Sequence, residues 1–195
     1  MKHVFLYESW LNAINEDKGK HSSACAMLYL KCSLEEIQSQ IKEDDIYRGK
    51  EGDKRSYGLE DKPHVTLLYG LENDKVDPDK VMKICTSFEY TDIRLHNISL
   101  FEGDDYDVLK FDADSEVLHQ INAALSKLPH HTDFPDYHPH ATIAYLKAGT
   151  GKDYVKKFED VEMEVEPSKI VYSMPDGDKI ENSVIRYIDQ NKDTE

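Results

Sequence analysis

Read from its N-terminus, the chain begins with Val4, Tyr7, Leu11 and Ile14 at helical spacing, which predicts an amphipathic helical extension over residues 1–23. ACAMLYLKC, residues 24–32, is an apolar run of strand length. SLEEIQSQIKEDD follows it, with Ser33 and Glu36 in capping-box spacing that predicts a helix. Residues 44–62 carry three glycines, many charges and no period, and so predict a long loop. Alternation returns at PHVTLLYG, residues 63–70, then gives way to a helical stretch near 77–88. TDIRLHNISLF and DYDVLKFDAD read as two strands. Val117, Leu118, Ile121, Ala124, Leu125 and Leu128 form one apolar stripe over about 115–128. HPHATIAYLK is a strand and TGKDYVKKFED a short helix, while VEMEVEP, KIVYSM and ENSVIRYID are closing strands around the turn PDGD. The fold class is therefore α+β, in a single domain spanning 1–195.

Composition narrows the partners. The formal net charge is −15, from 39 acidic and 24 basic residues. Such a field repels polyanions, so long RNA or duplex DNA is disfavoured as a ligand, while a small nucleotide suffers far less. Cys25, Cys32 and Cys85 are odd in number and have no CxxC spacing, which points to a reducing, cytoplasmic location. No apolar stretch is long enough to span a bilayer, so no membrane partner is expected.

The chemistry lies in a repeat. PHVTLLY begins at Pro63 and PHATIAY at Pro139, so P-H-x-T-x-x-Y occurs twice, with His64 and His140 separated by 76 residues. On regular strands His64 and Thr66 share one face, opposite Val65, Leu67 and Tyr69. His140 and Thr142 likewise oppose Ala141, Ile143 and Tyr145, and both tyrosines are assigned to packing. Two copies suit two lobes, around residues 63–69 and 139–145, facing one cleft. Phosphodiester cleavage needs one group to take a proton and another to give one, and histidine serves both roles near neutrality. Threonine hydroxyls can hydrogen-bond to the non-bridging oxygens, and no metal or cofactor is required.

Paired H-x-T motifs of this kind resemble the 2H phosphoesterase superfamily, over roughly residues 24–175. The contexts KPHVTLLYGL and DYHPHATIAYLKAG, with DVLKFDADSEVLHQIN between them, look most like the phage anti-CBASS nucleases. The resemblance implies a bilobal, duplicated β/α fold with a central cleft between two antiparallel sheets, and a metal-independent mechanism. Its catalytic residues would be His64, Thr66, His140 and Thr142. The branch implies 3′,5′-linked cyclic di- or trinucleotides as substrates, in the host cytoplasm. Attack by a ribose 2′-hydroxyl would give a 2′,3′-cyclic intermediate. Which histidine is base and which is acid is left open, as is the oligomeric state.

Other residues bear on binding. Arg55 and Tyr57 precede the first motif, and Phe134, Tyr137 and His138 precede the second, where a cation and aromatic rings would meet phosphates and bases. His130, His131, His138 and His140 with Asp133 and Asp136 crowd one segment but lack a recognised metal-ligand spacing. Glu159, Asp160, Glu162, Glu164 and Glu166 read as a solvated strand face. No GxxxxGK[ST], strand-borne GxGxxG or GxSxG occurs, which removes the usual signatures of a nucleotide triphosphatase, a dinucleotide fold or a serine hydrolase. Two alternatives stand beside cyclic-oligonucleotide hydrolysis: an RNA 2′,3′-cyclic phosphodiesterase, and a non-catalytic module that sequesters a nucleotide.

Overall fold

The computed structural model describes residues 23–52, 57–132 and 136–186. The expected N-terminal helix, Arg55 and Phe134 lie outside them. In chain order the strands are β1 (Ser23–Lys31), β2 (His64–Glu72), β3 (Glu89–Tyr90), β4 (Ile93–Phe101), β5 (Tyr106–Asp114), β6 (His140–Lys147), β7 (Met163–Ser173), β8 (Lys179–Ser183) and β9 (Ile185–Arg186). The helices are α1 (Glu35–Gln38), α2 (Pro78–Thr86), α3 (Glu116–Leu125) and α4 (Gly151–Lys157).

Seven strands form one antiparallel sheet in the order β1-β2-β6-β5-β4-β7-β8, and β1 also pairs with β7. Six strands thus run round in a closed circuit. It contains two extensively paired blocks, β2-β1-β7 and β6-β5-β4. The blocks join at two narrow seams: a single register pair, Val65↔Ala141, and the three pairs Ile93↔Val165, Arg94↔Glu164 and Leu95↔Met163. The two expected sheets are these blocks, continuous with each other.

The core lies between the circuit and its helices. Alternate residues of β1, Ala24, Ala26, Leu28 and Leu30, are buried there with Val65, Leu109, Phe111 and Ala141. Val81, Met82 and Cys85 of α2 pack into the same core as Val117, Leu118, Ile121 and Leu125 of α3. Burial of such stripes is the main favourable term in folding. The buried Asp107 carboxylate caps the start of α4, accepting from the amides of Gly149 (3.0 Å) and Gly151 (3.2 Å).

Three expectations change. The helix after β1 is one turn, Glu35–Gln38, because beyond it the amides of Gln40 and Ile41 donate three residues back, to Ile37 and Gln38, in isolated turns. VEMEVEP and KIVYSM form one strand of 11 residues, β7; an extra residue, Ser168, between the pairs of Tyr29 and Leu30 accommodates Pro167 within it. The loop after residue 44 is partly pinned to β6. Ile46 bridges Leu146, Leu59 bridges Ala144, and Tyr47 and Gly58 exchange hydrogen bonds with Tyr145.

Candidate functional site

Val65 and Ala141, the one register pair between β2 and β6, are both fully buried on the core side. Their flanking residues therefore face the interior of the circuit. Continued by one residue each way, the antiparallel register sets His64 across from Thr142, and His140 across from Thr66. The pair also lies at equivalent positions of the two motif copies, so a local two-fold relation passes through it. All four expected site residues are half-buried on this inner face.

Each imidazole is fixed in the same way. His64 Nδ1 donates to the carbonyl of Lys62 (2.9 Å), and His140 Nδ1 to that of His138 (3.0 Å). A carbonyl only accepts, so in the neutral ring Nδ1 holds the proton and Nε2 presents its lone pair. The backbone of each preceding proline is anchored too: Leu30 donates to Pro63 (2.9 Å) and Ala113 to Pro139 (3.0 Å).

The tyrosines of the motifs contradict strict alternation. On β2 the partners step from Met27↔Thr66 to Ala26↔Leu68, leaving Leu67 as an extra residue; on β6 they step from Lys110↔Thr142 to Leu109↔Ala144, leaving Ile143. A bulge inverts the parity of the residues beyond it. Tyr69 and Tyr145 consequently turn to the same face as the histidines, opposite Cys25 and Val108. Each bulge carbonyl accepts a side-chain amide from a helix: Asn122 of α3 donates to Leu67 (2.7 Å), and Gln38 of α1 to Ile143 (3.0 Å).

The two halves differ in what surrounds the motifs. In the first, Tyr29 lies opposite His64, with ring centroids 5.6 Å apart, and Met27 lies opposite Thr66. Lys169 of β7 sits 5.3 Å over the Tyr29 ring and pairs with Glu181 (2.6 Å). The Glu60 carboxylate is 4.0 Å from His64 Nδ1. An open cavity of about 400 Å³, lined in part by Tyr29, Lys31, Lys62 and Ser168, adjoins this side.

In the second half, Asp112 lies opposite His140 and Lys110 opposite Thr142. The buried Lys110 ammonium donates to Ser99 Oγ (2.8 Å) and to Asp112, which also accepts from Asn97. Asn97 adopts a left-handed φ of 49° in the bulge between His96 and Ser99, a conformation asparagine tolerates. Phe101 packs edge-on against His140, 4.9 Å between centroids, with Lys110 4.9 Å over its ring. Burial, reinforced by the positive charges of Lys110 and His64, pushes His140 down to about 4, against the opposing pull of Asp112 and of the bond to His138. Burial alone would raise Asp112, but hydrogen bonds from Lys110 and Asn97 outweigh it and hold that carboxyl below its usual range.

The expected binding residues separate. Tyr57 joins Tyr47, Tyr106 and Tyr145 in an aromatic cluster on the inner face, with centroid distances of 4.9 to 5.7 Å. Tyr137 turns to the core side instead, beside His119, and donates its hydroxyl to the carbonyl of Thr66 (2.8 Å), bracing the first motif. His138 is exposed and contributes its carbonyl to His140. Among the described residues, no three histidine, cysteine or acidic side chains gather as metal ligands. Lys110 and Asp112, in register with Thr142 and His140, were not among the expected residues; in the sequence they alternate with Leu109, Phe111 and Ala113 in YDVLKFDAD, a strand that also carries Asp107 and Asp114. Among the described residues, no helix is long and apolar enough to cross a membrane.

Compared with known proteins, residues 33–171, well over half of the chain, match a family model described as the 2′-5′ RNA ligase superfamily. No curated relative matches.

Proposed function

Because the chain belongs to the 2′-5′ RNA ligase superfamily, that is, the 2H phosphoesterases, we propose that it is a metal-independent phosphodiesterase hydrolysing 3′,5′-linked cyclic di- or trinucleotides. Family membership supports phosphoester hydrolysis. The finer reading is supported by one observation above all. Two imidazoles, each with Nδ1 tied to a carbonyl and Nε2 left to act, meet with two threonine hydroxyls about a single strand pair.

The proposed reaction rests on this geometry. His140, neutral over the working range, takes the proton of a ribose 2′-hydroxyl as its oxygen attacks the adjacent phosphorus. The P–O5′ bond breaks, and His64 gives its proton to the departing oxygen; Glu60 supplies a counter-charge while the ring is cationic. Thr66 and Thr142 donate to the non-bridging oxygens. Water can then open the 2′,3′-cyclic product with the two histidines exchanging roles. The resemblance of the motif contexts to the phage anti-CBASS nucleases extends the proposal to a protein that defends an infecting phage in the host cytoplasm.

The test is incubation of metal-free protein with cyclic di- and trinucleotides and with oligonucleotides ending in a 2′,3′-cyclic phosphate, with products identified by mass spectrometry. Linear products from the cyclic compounds are expected. Cleavage of the oligonucleotide ends alone would replace the proposal with an RNA-end activity, which the family's description favours and the net charge of −15 disfavours. Recovery of intact ligand from a stable complex would make the protein a sequestering module.

A further inference from the structure

Lys110 has no role in the proposed reaction, yet among the described residues it is the buried cation of the inner face. It is 7% exposed, on a chain with 15 more acidic than basic residues, and in register with Thr142 of the second motif. Directly paired residues of an antiparallel ladder hold their Cβ atoms about 5 Å apart on one face. A buried lysine is costly unless paired and hydrogen-bonded. Here Ser99 and Asp112 take two of its three N–H donors, and the Phe101 ring lies below it. Asn97, in its left-handed turn, holds Asp112 from the far side. The ammonium is thus fixed in advance, and nothing need reorganise when charge appears beside it.

The equivalent position in the first half, opposite Thr66, is Met27. The two motifs are therefore alike in their histidines and threonines and unlike in charge. Of the two motif threonines, Thr142 alone has a lysine in register beside it.

Resting on the phosphodiesterase reading, we infer that Lys110 is a catalytic residue: its ammonium bonds to the non-bridging phosphoryl oxygen that Thr142 also contacts, and stabilises the charge gathering there in the transition state. The scissile phosphate then sits off-centre, against β5 and β6, with one of its two non-bridging oxygens held by Thr142 and Lys110 and the other by Thr66 alone. That arrangement distinguishes the two diastereotopic oxygens. A structural ion pair with Asp112 would not.

The deciding experiment uses cyclic di-AMP and its Rp and Sp monophosphorothioates, at the thio linkage, with wild type, Lys110→Met and Lys110→Arg. Wild type is expected to be slowed much more by sulfur in one diastereomer than in the other. K110M should lose roughly 10²–10³-fold in kcat on the all-oxygen compound, the usual effect of removing one oxyanion donor, and should lose most of the preference between diastereomers. K110R, which keeps the charge, should recover part of both, and its thermal midpoint separates failure to fold from failure to catalyse. Wild-type rate in K110M, or a slow K110M that keeps the full diastereomer preference, would overturn the assignment. A wild type inert toward cyclic di-AMP while cleaving another compound of the panel moves the same comparison to that compound's phosphorothioates. A wild type inert toward every compound rejects the phosphodiesterase reading, and the role of Lys110 with it.

Discussion

The block built on β1 and β2 and the block built on β5 and β6 use the same backbone device to different ends. Each sets a proline and a histidine at the head of a strand, ties the imidazole Nδ1 to a carbonyl two residues back, and inserts one extra residue after the threonine. Each closes that bulge with a side-chain amide from a helix. The neighbouring strand is where they part. Cys25, Met27 and Tyr29 line the first motif, whereas Val108, Lys110 and Asp112 line the second. The duplicated element fixes where the histidines and threonines sit; the strand beside it decides what charge they feel.

The most severe way to break the comparison is to remove one imidazole at a time. His64→Ala and His140→Ala should each lower turnover by roughly 10²–10⁴-fold, since in the proposed reaction each supplies one of two proton transfers. Ligand binding, followed by calorimetry, should survive in both. Full turnover in either variant would show that the halves do not share one reaction.

The next effect separates the halves by pH. If His140 is the base, the acid limb of kcat/KM should lie at about 4, with a tenfold fall for each unit below it, because protonation removes the lone pair that accepts the substrate proton. The same depression bears on stability. His140 titrates below its ordinary value near 6.5, so the unfolded chain binds this proton first, and the stability from keeping it neutral is lost as pH falls from about 6.5 through 4. An acid limb near 6.5 would contradict the burial argument.

A smaller effect tests an asymmetry in the bulges. β2 has a second extra residue, Gly70, at φ +87°, where an added Cβ would lie 1.8 Å from the carbonyl oxygen of His131. The position 76 residues later, Leu146, stays in regular register with Asp107. The glycine lets the segment at His130 and His131 pair with β2. Gly70→Ala should cost more than the ~1–2 kcal/mol of a left-handed residue alone, because that segment must also move. Chemical denaturation reads it directly.

Much of this was legible in the sequence, and the exceptions have physical causes. Alternation located β1, β2, β5 and β6 and put His64, Thr66, His140 and Thr142 on one face, because a strand reports its buried side through period two. The same rule misplaced Tyr69 and Tyr145. A one-residue bulge has no composition of its own here: Leu67 and Ile143 look like any other apolar strand residue, and both are in fact buried. Tyr137 sat beside the second motif in sequence, but its hydroxyl was free to choose a distant backbone partner. Lys110 was hidden for the opposite reason. One lysine among 39 acidic and 24 basic residues is unremarkable until the fold buries it.

The smallest effect sharpens the comparison most finely, because it acts on the bulges both halves share. Asn122→Ala removes the donor to the Leu67 carbonyl, and Gln38→Ala the donor to the Ile143 carbonyl. Each should cost about 1 kcal/mol, the usual net worth of one such bond. Their consequences should differ in kind. The Ile143 carbonyl keeps a second donor, the Glu60 amide at 3.0 Å, and Gln38 also bonds to the Glu60 carbonyl at 2.9 Å. Q38A therefore loosens Glu60, and through it the counter-charge of His64 in the other half, so its kcat should fall even though its bulge remains held. N122A acts on the bulge that orients Thr66 and Tyr69 without touching any charged group, so the pH profile of kcat/KM should keep its shape. Equal losses of kcat with unchanged profiles in both variants would mean that the two clamps are interchangeable struts, and that Gln38 does not couple one motif to the other.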